Sequence, residues 1–316
     1  MIVTLTVHPS LDRTVGIELP LRVGDVQAGT SLREDAGGKG VNVSAVIARA
    51  DQHTLAVLPL AGEDPLASLV AATGVPARIV PVLGRARSNL AIVDPGGTTT
   101  KINLPGAHLA DAELDAVIEA TVASSAGADW LVLAGSLPPG APDDLYVRVI
   151  DAVRRASEDD APRIAVDTSG PALHAVVASG RPDLIKPNEE ELAELVGVAL
   201  DPERDLSAAV ARIARDLVPV RVHTALVTLG AKGAVLISPE GAWTALPPPM
   251  VVRSTVGAGD SSLAGYLLAD LAGDAAPDRL RSATRYGAAA AALPGTQHPG
   301  PDDLPRGDIA VQAITP

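Results

Sequence analysis

Short apolar segments rich in Val, Ile and Leu alternate along the chain with longer Ala-rich segments of helical periodicity. This alternation is typical of βα units around a mostly parallel sheet, whose strands are buried on both faces and read as continuous apolar runs. The apolar runs predict strands at 2–7, 55–60, 130–134, 164–167, 184–186 and 226–228. The amphipathic segments predict helices at 40–49, 112–124, 143–155, 189–196, 205–217, 258–271 and 277–292. We therefore predict an α/β fold with a mostly parallel central sheet flanked by helices.

Two regions lack the helical pattern. Residues 12–35 contain several Gly and Pro residues and predict short extended segments. In about 86–105, two strand-like runs flank Asp94-Pro95-Gly96-Gly97, a strong hairpin-turn signal. Together they predict a small β-sheet that is suited to act as a lid at the strand ends of an α/β core. Because the sequence shows no repeat, low-complexity tract or long linker, we expect residues 1–316 to form a single domain.

The composition excludes several classes of function. With 25 Lys and Arg against 38 Asp and Glu, the net charge of −13 repels nucleic-acid phosphates and anionic lipid, so neither is an expected partner. The absence of Cys excludes disulfides, thiolate catalysis and Cys-ligated metal sites. The six histidines show no zinc-ligand spacing. No segment has the pattern of a signal peptide or a transmembrane helix, so the expected location is the cytoplasm.

The segment 254–262, Ser-Thr-Val-Gly-Ala-Gly-Asp-Ser-Ser, leads into a predicted helix. Small residues at a helix entry leave backbone N–H groups accessible, and with the positive helix end they form a site for a phosphate or a developing anion. Gly257, Ala258 and Gly259 would supply these amides. Asp260 would accept the proton of an attacking hydroxyl, unless it only caps the helix. The segment fits neither the Rossmann nor the Walker A motif.

A second glycine-rich helix entry lies at 36–44, Ala-Gly-Gly-Lys-Gly-Val-Asn-Val-Ser. Gly37 and Gly38 permit a tight turn and the close approach of a polar ligand to the backbone. Lys39 and Asn42 supply hydrogen-bond donors of the kind that hold sugar hydroxyls or phosphate. The alternative is an ordinary glycine-rich start of a helix.

Residues 183–192 run from a strand end into a helix. Lys186 and Asn188 lie at the carboxyl end of the predicted strand, where α/β proteins bind their ligands. Glu191 lies one helical turn beyond Asn188, and its carboxylate suits Mg²⁺, which takes few protein ligands and keeps several waters. The alternative for the neighbouring glutamates is that they only stabilise the helix N-terminus.

Two further signals are weaker. The segment 228–233, Thr-Leu-Gly-Ala-Lys-Gly, follows a predicted strand and either contacts a nucleotide phosphate or only connects a hairpin. Arg85, Arg87 and Lys101 flank the lid hairpin of this acidic chain. They form either a solvated surface or a site for a second phosphate.

In their order and separation, segments 36–42 and 254–260 resemble the two signatures of the ribokinase-like (PfkB) family of carbohydrate kinases. The resemblance extends over nearly the whole chain. It implies the ribokinase-like fold, ATP and Mg²⁺, Asp260 as catalytic base, and the amides of Gly257 to Gly259 as an anion hole. It also implies that Glu191 is linked to Mg²⁺. The residues it places near the nucleotide are Lys186, Asn188, Thr228, Gly230, Lys232 and Gly233.

Within the family, segments 6–12, 84–89, 104–106 and 135–138 resemble the hexose-phosphate kinases. This similarity implies a homodimer formed through the lid. The residues it implies for the sugar phosphate are Asp12, Gly37, Gly38, Lys39, Asn42, Arg87, Lys101 and Ser136. Two positions depart from the pattern: His8 stands where the subgroup usually has Asn, and Ser254 replaces an Asp that several ribokinases use for a monovalent cation.

The resemblance implies phosphorylation of a ketohexose phosphate by ATP, with fructose 1-phosphate giving fructose 1,6-bisphosphate. Fructose 1-phosphate is favoured because 24–27 lacks the basic residues that the 6-phosphofructokinase branch carries nearby. The alternatives are 6-phosphofructokinase or tagatose-6-phosphate kinase activity, and a kinase for an unphosphorylated sugar or a nucleoside. A sugar-phosphate sensor without catalysis is the alternative from a different class.

Overall fold

A computed structural model describes residues 1–157, 160–201 and 205–315. Its strands are β1 Ile2–Leu5, β2 Ser10–Ile17, β3 Gly29–Gly37, β4 Thr54–Leu60, β5 Ala77–Pro81, β6 Arg87–Val93, β7 Thr99–Asn103, β8 Trp130–Ala134, β9 Arg163–Asp167, β10 Leu184–Ile185, β11 Thr224–Thr228, β12 Ala234–Ser238, β13 Gly241–Ala245 and β14 Val311–Ala313. Its α-helices are α1 Lys39–Arg49, α2 Pro65–Ala72, α3 Asp111–Ser125, α4 Leu145–Ser157, α5 Gly170–Ala175, α6 Glu189–Val196, α7 Leu206–Ala214, α8 Ala258–Leu271 and α9 Ala276–Ala292.

The main sheet has ten strands in the order β14-β13-β12-β11-β10-β9-β8-β1-β4-β5. Every neighbouring pair from β5 to β11 is parallel, and the last three strands add antiparallel to that edge. Parallel neighbours are joined by helical crossovers, which fits the alternation in the sequence. The predicted α/β fold with a mostly parallel central sheet is confirmed.

Two hydrophobic cores cover the two faces of this sheet. Successive residues of a strand point to opposite faces, so Leu131 and Leu133 pack in one core, while Trp130 and Val132 pack in the other. The first core includes residues of α3, α4, α5 and α7, and the second includes residues of α1, α8 and α9. The two glycine-entered helices, α1 and α8, therefore lie on the same side of the sheet.

The sequence pattern missed some short elements. Helix α2 has eight residues, of which only Leu66 and Val70 are buried, so it presents no extended amphipathic stripe. Strand β5 lies at the sheet edge and buries only Val80. Other helices and strands begin or end a few residues from the predicted positions. For example, Asp205 caps α7 by accepting from the Ala208 amide instead of lying in the helix.

A second sheet has four strands in the order β3-β2-β6-β7. Strands β2 and β6 are parallel, and the two outer pairs are antiparallel. The hairpin between β6 and β7 turns at Asp94, whose carboxylate accepts from the Thr98 amide at 2.9 Å, and at Gly97 with a φ of 83°. The predicted small sheet outside the main one is confirmed. That it closes as a lid, and that residues 1–316 form a single domain, remain predictions.

The second sheet has one polar and one apolar face. Asp12 pairs in register with Asn89, and Ala91 pairs with Lys101, so these residues share a face with Arg87. The other face carries apolar side chains, contributed by Val15, Leu32, Leu90, Ile92 and Ile102. Within the described residues, no helix combines the length and apolar character needed to span a bilayer.

Candidate active site

The candidate site lies at the carboxyl ends of the parallel strands. Asp167 is the last residue of β9, Lys186 directly follows β10, and Ser136 follows β8. Neighbouring parallel strands end at one edge of the sheet, which is where open α/β sheets bind ligands. The parallel arrangement of the strands thus brings together residues that are far apart in the chain.

A carboxylate with two ammonium groups forms the centre of this edge. Asp167 is fully buried, and its two oxygens lie 2.7 Å from Lys39 Nζ and 3.1 Å from Lys186 Nζ. Burial alone would raise the pKa of Asp167, but the charges of Lys186 and Lys39 outweigh burial and leave the pKa lowered. The attraction of Asp167 likewise leaves the pKa of Lys39 raised, although burial opposes it. Asp167 and Lys39 are therefore both charged at neutral pH.

Asp260 lies in the first turn of α8 and is only 7% exposed. One of its oxygens accepts a 2.7 Å hydrogen bond from Asn42 Nδ2, a side chain of α1. Burial, and next the charge of Asp167, raise the pKa of Asp260 to about 6, although Lys39, the Asn42 hydrogen bond and Lys186 oppose the rise. Asp260 is therefore ionised at neutral pH and a stronger base than an exposed Asp.

The entry of α8 leaves room for a ligand. Gly257 is the N-cap residue with a φ of 75°, a conformation that favours glycine, and a Cβ there would meet only open space. A Cβ on Gly259 would lie 3.2 Å from Lys186 Nζ. The first amides of a helix have no intrahelical partner, and at the entry of α8 Gly259 lies beside this ammonium group. The carboxylate of Asp260 bonds to Asn42 rather than to the helix entry, so the alternative of a simple helix cap is not supported.

The other glycine-rich entry brings α1 against the second sheet. A Cβ on Gly37 would overlap the carboxylate of Asp12, and Gly38 has a φ of 130°. A larger residue at Gly37 would push β2 away from the start of α1, and one at Gly38 would collide with the Thr6 side chain. The glycines thus place Lys39 and Asn42 between the second sheet and Asp260, which brings together the predicted sugar-site residues of both segments.

The polar face of the second sheet carries Asp12 and Arg87, and the guanidinium of Arg87 has a buried nitrogen without a hydrogen-bond partner. Asp12 accepts hydrogen bonds of 2.8 Å from both Ser10 and Asn89, and burial raises its pKa although Arg87 opposes this. Arg87 is half-buried, its Nε has no hydrogen-bond partner, and burial lowers its pKa. Lys101 lies farther along the same face; it is exposed and makes no hydrogen bond or ion pair with the described residues.

His8 joins the second sheet to the main sheet. Its Nε2 lies 2.9 Å from the Pro105 carbonyl oxygen, and its Nδ1 lies 3.2 Å from Ser136 Oγ. Because a carbonyl oxygen only accepts, Nε2 carries the proton, and in the neutral ring Nδ1 accepts from the Ser136 hydroxyl. The oxygen of Ser136 then keeps its acceptor capacity for a ligand.

A cavity of 740 Å³ lies next to the first turn of α8, which contains Asp260. Four residues predicted to lie near a nucleotide line it: Asn188, Thr228, Gly230 and Gly233. The facing wall is formed by α8 and α9, including Gly259, Ser262, Thr284, Gly287 and Ala288. Two of the predicted nucleotide residues do not line it: Lys186 is buried beside Asp167, and Lys232 is exposed in the turn after β11.

Glu191 has a structural role in α6. Its Oε2 accepts from the Asn188 amide at 2.9 Å, and Asn188 Oδ1 accepts from the Glu191 amide at 2.7 Å, which forms a capping box. In the described part of the chain, no three His, Asp or Glu side chains form a metal-binding group.

Sequence reasoning missed several residues of the site. Asp167 was included in the predicted strand 164–167 as its last residue. A position at the carboxyl end of a strand was the signal that identified Lys186, and the same signal could have identified Asp167. Asn89 was inside a lid strand, and its contact with Asp12 depends on the parallel pairing of β2 with β6. His298, which lies 3.1 Å from Asn42 Oδ1, carries no motif that could have indicated it.

The architecture is the ribokinase-like one, with the site at the strand ends between two glycine-entered helices. The protein is 37% identical over 96% of its length to 1-phosphofructokinase of Rhodobacter capsulatus, covering 94% of that protein. It is 34% identical over 92% of its length to ATP-dependent 6-phosphofructokinase isozyme 2 of Escherichia coli, covering 90% of it. Phosphofructokinase-2 from Escherichia coli in complex with fructose-6-phosphate superposes with a TM-score of 0.83, at 30% identity and 96% coverage of both chains.

Residues 9–303 match the family described as pfkB family carbohydrate kinase. The chain belongs to this family, and the protein is accordingly a sugar kinase. Cytoplasmic location, the homodimer and the role of each site residue remain predictions.

Proposed function

We propose that this kinase transfers the γ-phosphoryl group of ATP to a free primary hydroxyl of a ketohexose phosphate, with fructose 1-phosphate as the preferred substrate and fructose 1,6-bisphosphate as the product. One observation carries the choice of a phosphorylated sugar. Arg87 is a half-buried guanidinium with an unpartnered Nε and no ion pair in the described chain. A buried donor without a partner is costly, so a group that binds an anionic ligand explains it best.

The position of Arg87 supports this assignment. Its charge alters the pKa of Asp12 and of His8, and His8 bonds to Ser136. These residues border the glycine-rich start of α1, and Lys39 in that helix reaches Asp167. A sugar with its phosphate at Arg87 would therefore direct its far end toward Asp260. An unphosphorylated sugar would leave the guanidinium without a partner.

The residues of the chain account for the transfer. Asp260 accepts the proton of the sugar hydroxyl, whose oxygen bonds to the γ-phosphorus as the bond to the bridging oxygen breaks and ADP leaves with the electron pair. Lys39, Lys186 and the amides of Gly257 to Gly259 supply positive charge where the transferred group becomes more negative. Their mutual contacts with Asp167 fix the two ammonium groups before the substrates bind.

The 740 Å³ cavity is the proposed nucleotide site. Its volume falls in the range of cofactor-sized pockets, and the small residues Gly287 and Ala288 in its lining leave room for a base. The Escherichia coli relative is named an ATP-dependent enzyme, which favours ATP as the donor. Glu191 would reach Mg²⁺ through water, since one of its oxygens is already used by Asn188. Mg²⁺ would neutralise charge on the phosphate oxygens.

The assay that tests the proposal measures ADP release with MgATP. Fructose 1-phosphate, fructose 6-phosphate, tagatose 6-phosphate, fructose and ribose are compared under identical conditions. A kcat/KM at least about tenfold higher for fructose 1-phosphate, equivalent to about 1.4 kcal/mol of transition-state binding, supports the proposed substrate. Preference for fructose or ribose contradicts the phosphate site, and binding of a sugar phosphate without any turnover favours the sensor.

Arg87→Ala separates a phosphate site from a surface cation. Loss of a charge-assisted pair with the sugar phosphate is expected to raise KM for that substrate by about tenfold or more, with little change in KM for ATP. Arg148→Ala is the matched control, because Arg148 is an exposed arginine paired with Asp115 away from the site. Equal KM values for the two variants would show that Arg87 does not bind the phosphate.

The apolar face of the second sheet supports a homodimer formed through the lid. Leu32 is 64% exposed and Ile102 is 48% exposed on that face, so a second copy of the chain would remove them from water. Leu32→Glu is expected to yield a monomer by light scattering after gel filtration, while wild type elutes as a dimer. A wild-type monomer at micromolar concentration would contradict this proposal.

A further inference from the structure

Asn42 lies between the candidate base and a histidine. Its Nδ2 donates to Asp260 at 2.7 Å, and its Oδ1 lies 3.1 Å from His298 Nε2. His298 belongs to the segment that follows α9, so the contact joins that segment to α1 and, through Asn42, to α8.

The chemistry of these groups determines the direction of both hydrogen bonds. An ionised carboxylate only accepts, so the NH₂ group of Asn42 must face Asp260. The amide oxygen then faces His298, and since this oxygen also only accepts, His298 Nε2 must carry a proton. The side-chain amide of Asn42 could otherwise flip and place its oxygen against the carboxylate, which would repel it.

We infer that His298 is a positioning residue of the catalytic site, whose Nε2–H holds the Asn42 amide in the orientation that donates to Asp260. This inference rests on the proposed role of Asp260 as base. The hydrogen bond from Asn42 stabilises the carboxylate form of Asp260 and aims its other oxygen. Loss of the His298 contact therefore weakens both effects without removing any group that touches the substrate.

The surroundings of His298 keep the imidazole neutral. It lines a cavity of 530 Å³ together with Arg33, Arg49, Asp35 and Asp303. Burial lowers the pKa of His298 to about 4; the charge of Asp35 opposes the change, and the smaller effects of Arg49 and Arg33 add to it. A neutral ring has one N–H, and the contact with Asn42 assigns it to Nε2. The hydrogen bond is therefore maintained throughout the neutral pH range.

Two substitutions separate the donor from the bulk of the ring. His298→Leu keeps an apolar side chain but removes the donor, whereas His298→Gln places an amide N–H near the position of Nε2. We expect His298→Leu to lower kcat by about three- to tenfold, the equivalent of one hydrogen bond, and His298→Gln to retain most of kcat. KM for ATP is expected to stay unchanged in both variants, because His298 does not line the 740 Å³ cavity.

The decisive readout does not depend on turnover. The pKa of Asp260 is measured by titrating its ¹³C carboxyl resonance, assigned with Asp260→Asn, in the full-length protein. Asp167, Lys39 and Lys186 act on Asp260 equally in all variants, so a difference reports the Asn42 contact. His298→Leu is expected to raise this pKa by about half a unit to one unit, and His298→Gln to restore it.

The outcomes distinguish the inference from the proposed function. An unchanged pKa of Asp260 in His298→Leu overturns the positioning role, even if the enzyme is active. A raised pKa in a protein that phosphorylates no sugar supports the contact and instead contradicts the role of Asp260 as base. A purely structural His298 would lower the stability of both variants and leave the pKa of Asp260 unchanged.

Discussion

Asp260→Asn is expected to stabilise the protein while removing most of its activity. The carboxylate is 7% exposed, and its surroundings raise its pKa from 3.8 to about 6. Because the pKa is higher in the folded than in the unfolded state, folding favours the protonated form and opposes the ionised one. A rise of about two pKa units corresponds to about 3 kcal/mol of unfolding free energy at neutral pH. Asn has nearly the same shape as the protonated acid and does not carry this cost.

Because the pKa of Asp260 is raised by folding, the stability difference between Asp260→Asn and wild type depends on pH. Below the unfolded pKa of 3.8, Asp260 is protonated in both states and the cost is absent. The cost grows as pH rises from there to about 6 and is constant above it. The stability advantage of Asp260→Asn should therefore be about 1 kcal/mol smaller at about pH 5 than at about pH 8.

Urea unfolding of wild type and Asp260→Asn at both pH values measures this difference. Glu119→Gln is the control, since Glu119 is an exposed carboxylate on α3. Its stability difference from wild type is expected to vary by less than about 0.5 kcal/mol between the two pH values. An Asp260→Asn protein that is less stable than wild type at about pH 8, or an advantage that does not change with pH, would refute the reasoning.

The same variant tests the chemistry. Loss of a general base lowers turnover by about 10²- to 10⁴-fold, so kcat is expected to fall by that factor while the protein remains folded. Sugar-phosphate binding is expected to persist, because Arg87 and Asp12 are unchanged. Near-normal turnover in a stabilised variant would separate the two arguments: the burial of Asp260 would stand, and its role as base would not.

Two further substitutions test the buried charges. Asp167→Asn leaves Lys39 and Lys186 without their shared carboxylate, and is expected to destabilise the protein by about 3 kcal/mol in urea unfolding; it should also lower the pKa of Asp260 in a ¹³C titration. Asp270→Ala removes the carboxylate that pairs with Arg163 at 2.6 Å and Arg279 at 3.0 Å, far from the site. It is expected to cost about 3 kcal/mol in unfolding free energy with kcat unchanged.

The parts of the site that are local in sequence were predictable. A glycine-rich segment before an amphipathic run indicates a helix entry with accessible amides wherever it lies in the fold, so Gly257 and Gly38 could be identified without a structure. Lys186 could be placed because the residue after a buried strand lies at its carboxyl end. Each of these inferences uses residues within one element and its immediate neighbour.

The contacts between elements were not predictable in the same way. Asp167 meets Lys39 because β9 ends and α1 begins at the same edge of the sheet, and the two residues are 128 positions apart in the chain. The strand order that joins them depends on the packing of whole helices against the sheet, which apolar periodicity does not specify. His298 is a further case, because its contact with Asn42 joins the segment after α9 to α1, 256 positions away in the chain.

These unpredicted contacts determine how an acidic protein can bind anions. The net charge is −13, yet the ammonium groups of Lys39 and Lys186 both lie against the buried carboxylate of Asp167, in a region shielded from solvent. Interactions in such a region are screened less than those at the surface, so the local field outweighs the distant acidic residues. The same Asp167 raises the pKa of Asp260, while the lysines limit the rise. The pKa of the proposed base and the proposed attraction for phosphate therefore both depend on Asp167 and its two lysines, and a change to any of the three is expected to alter both.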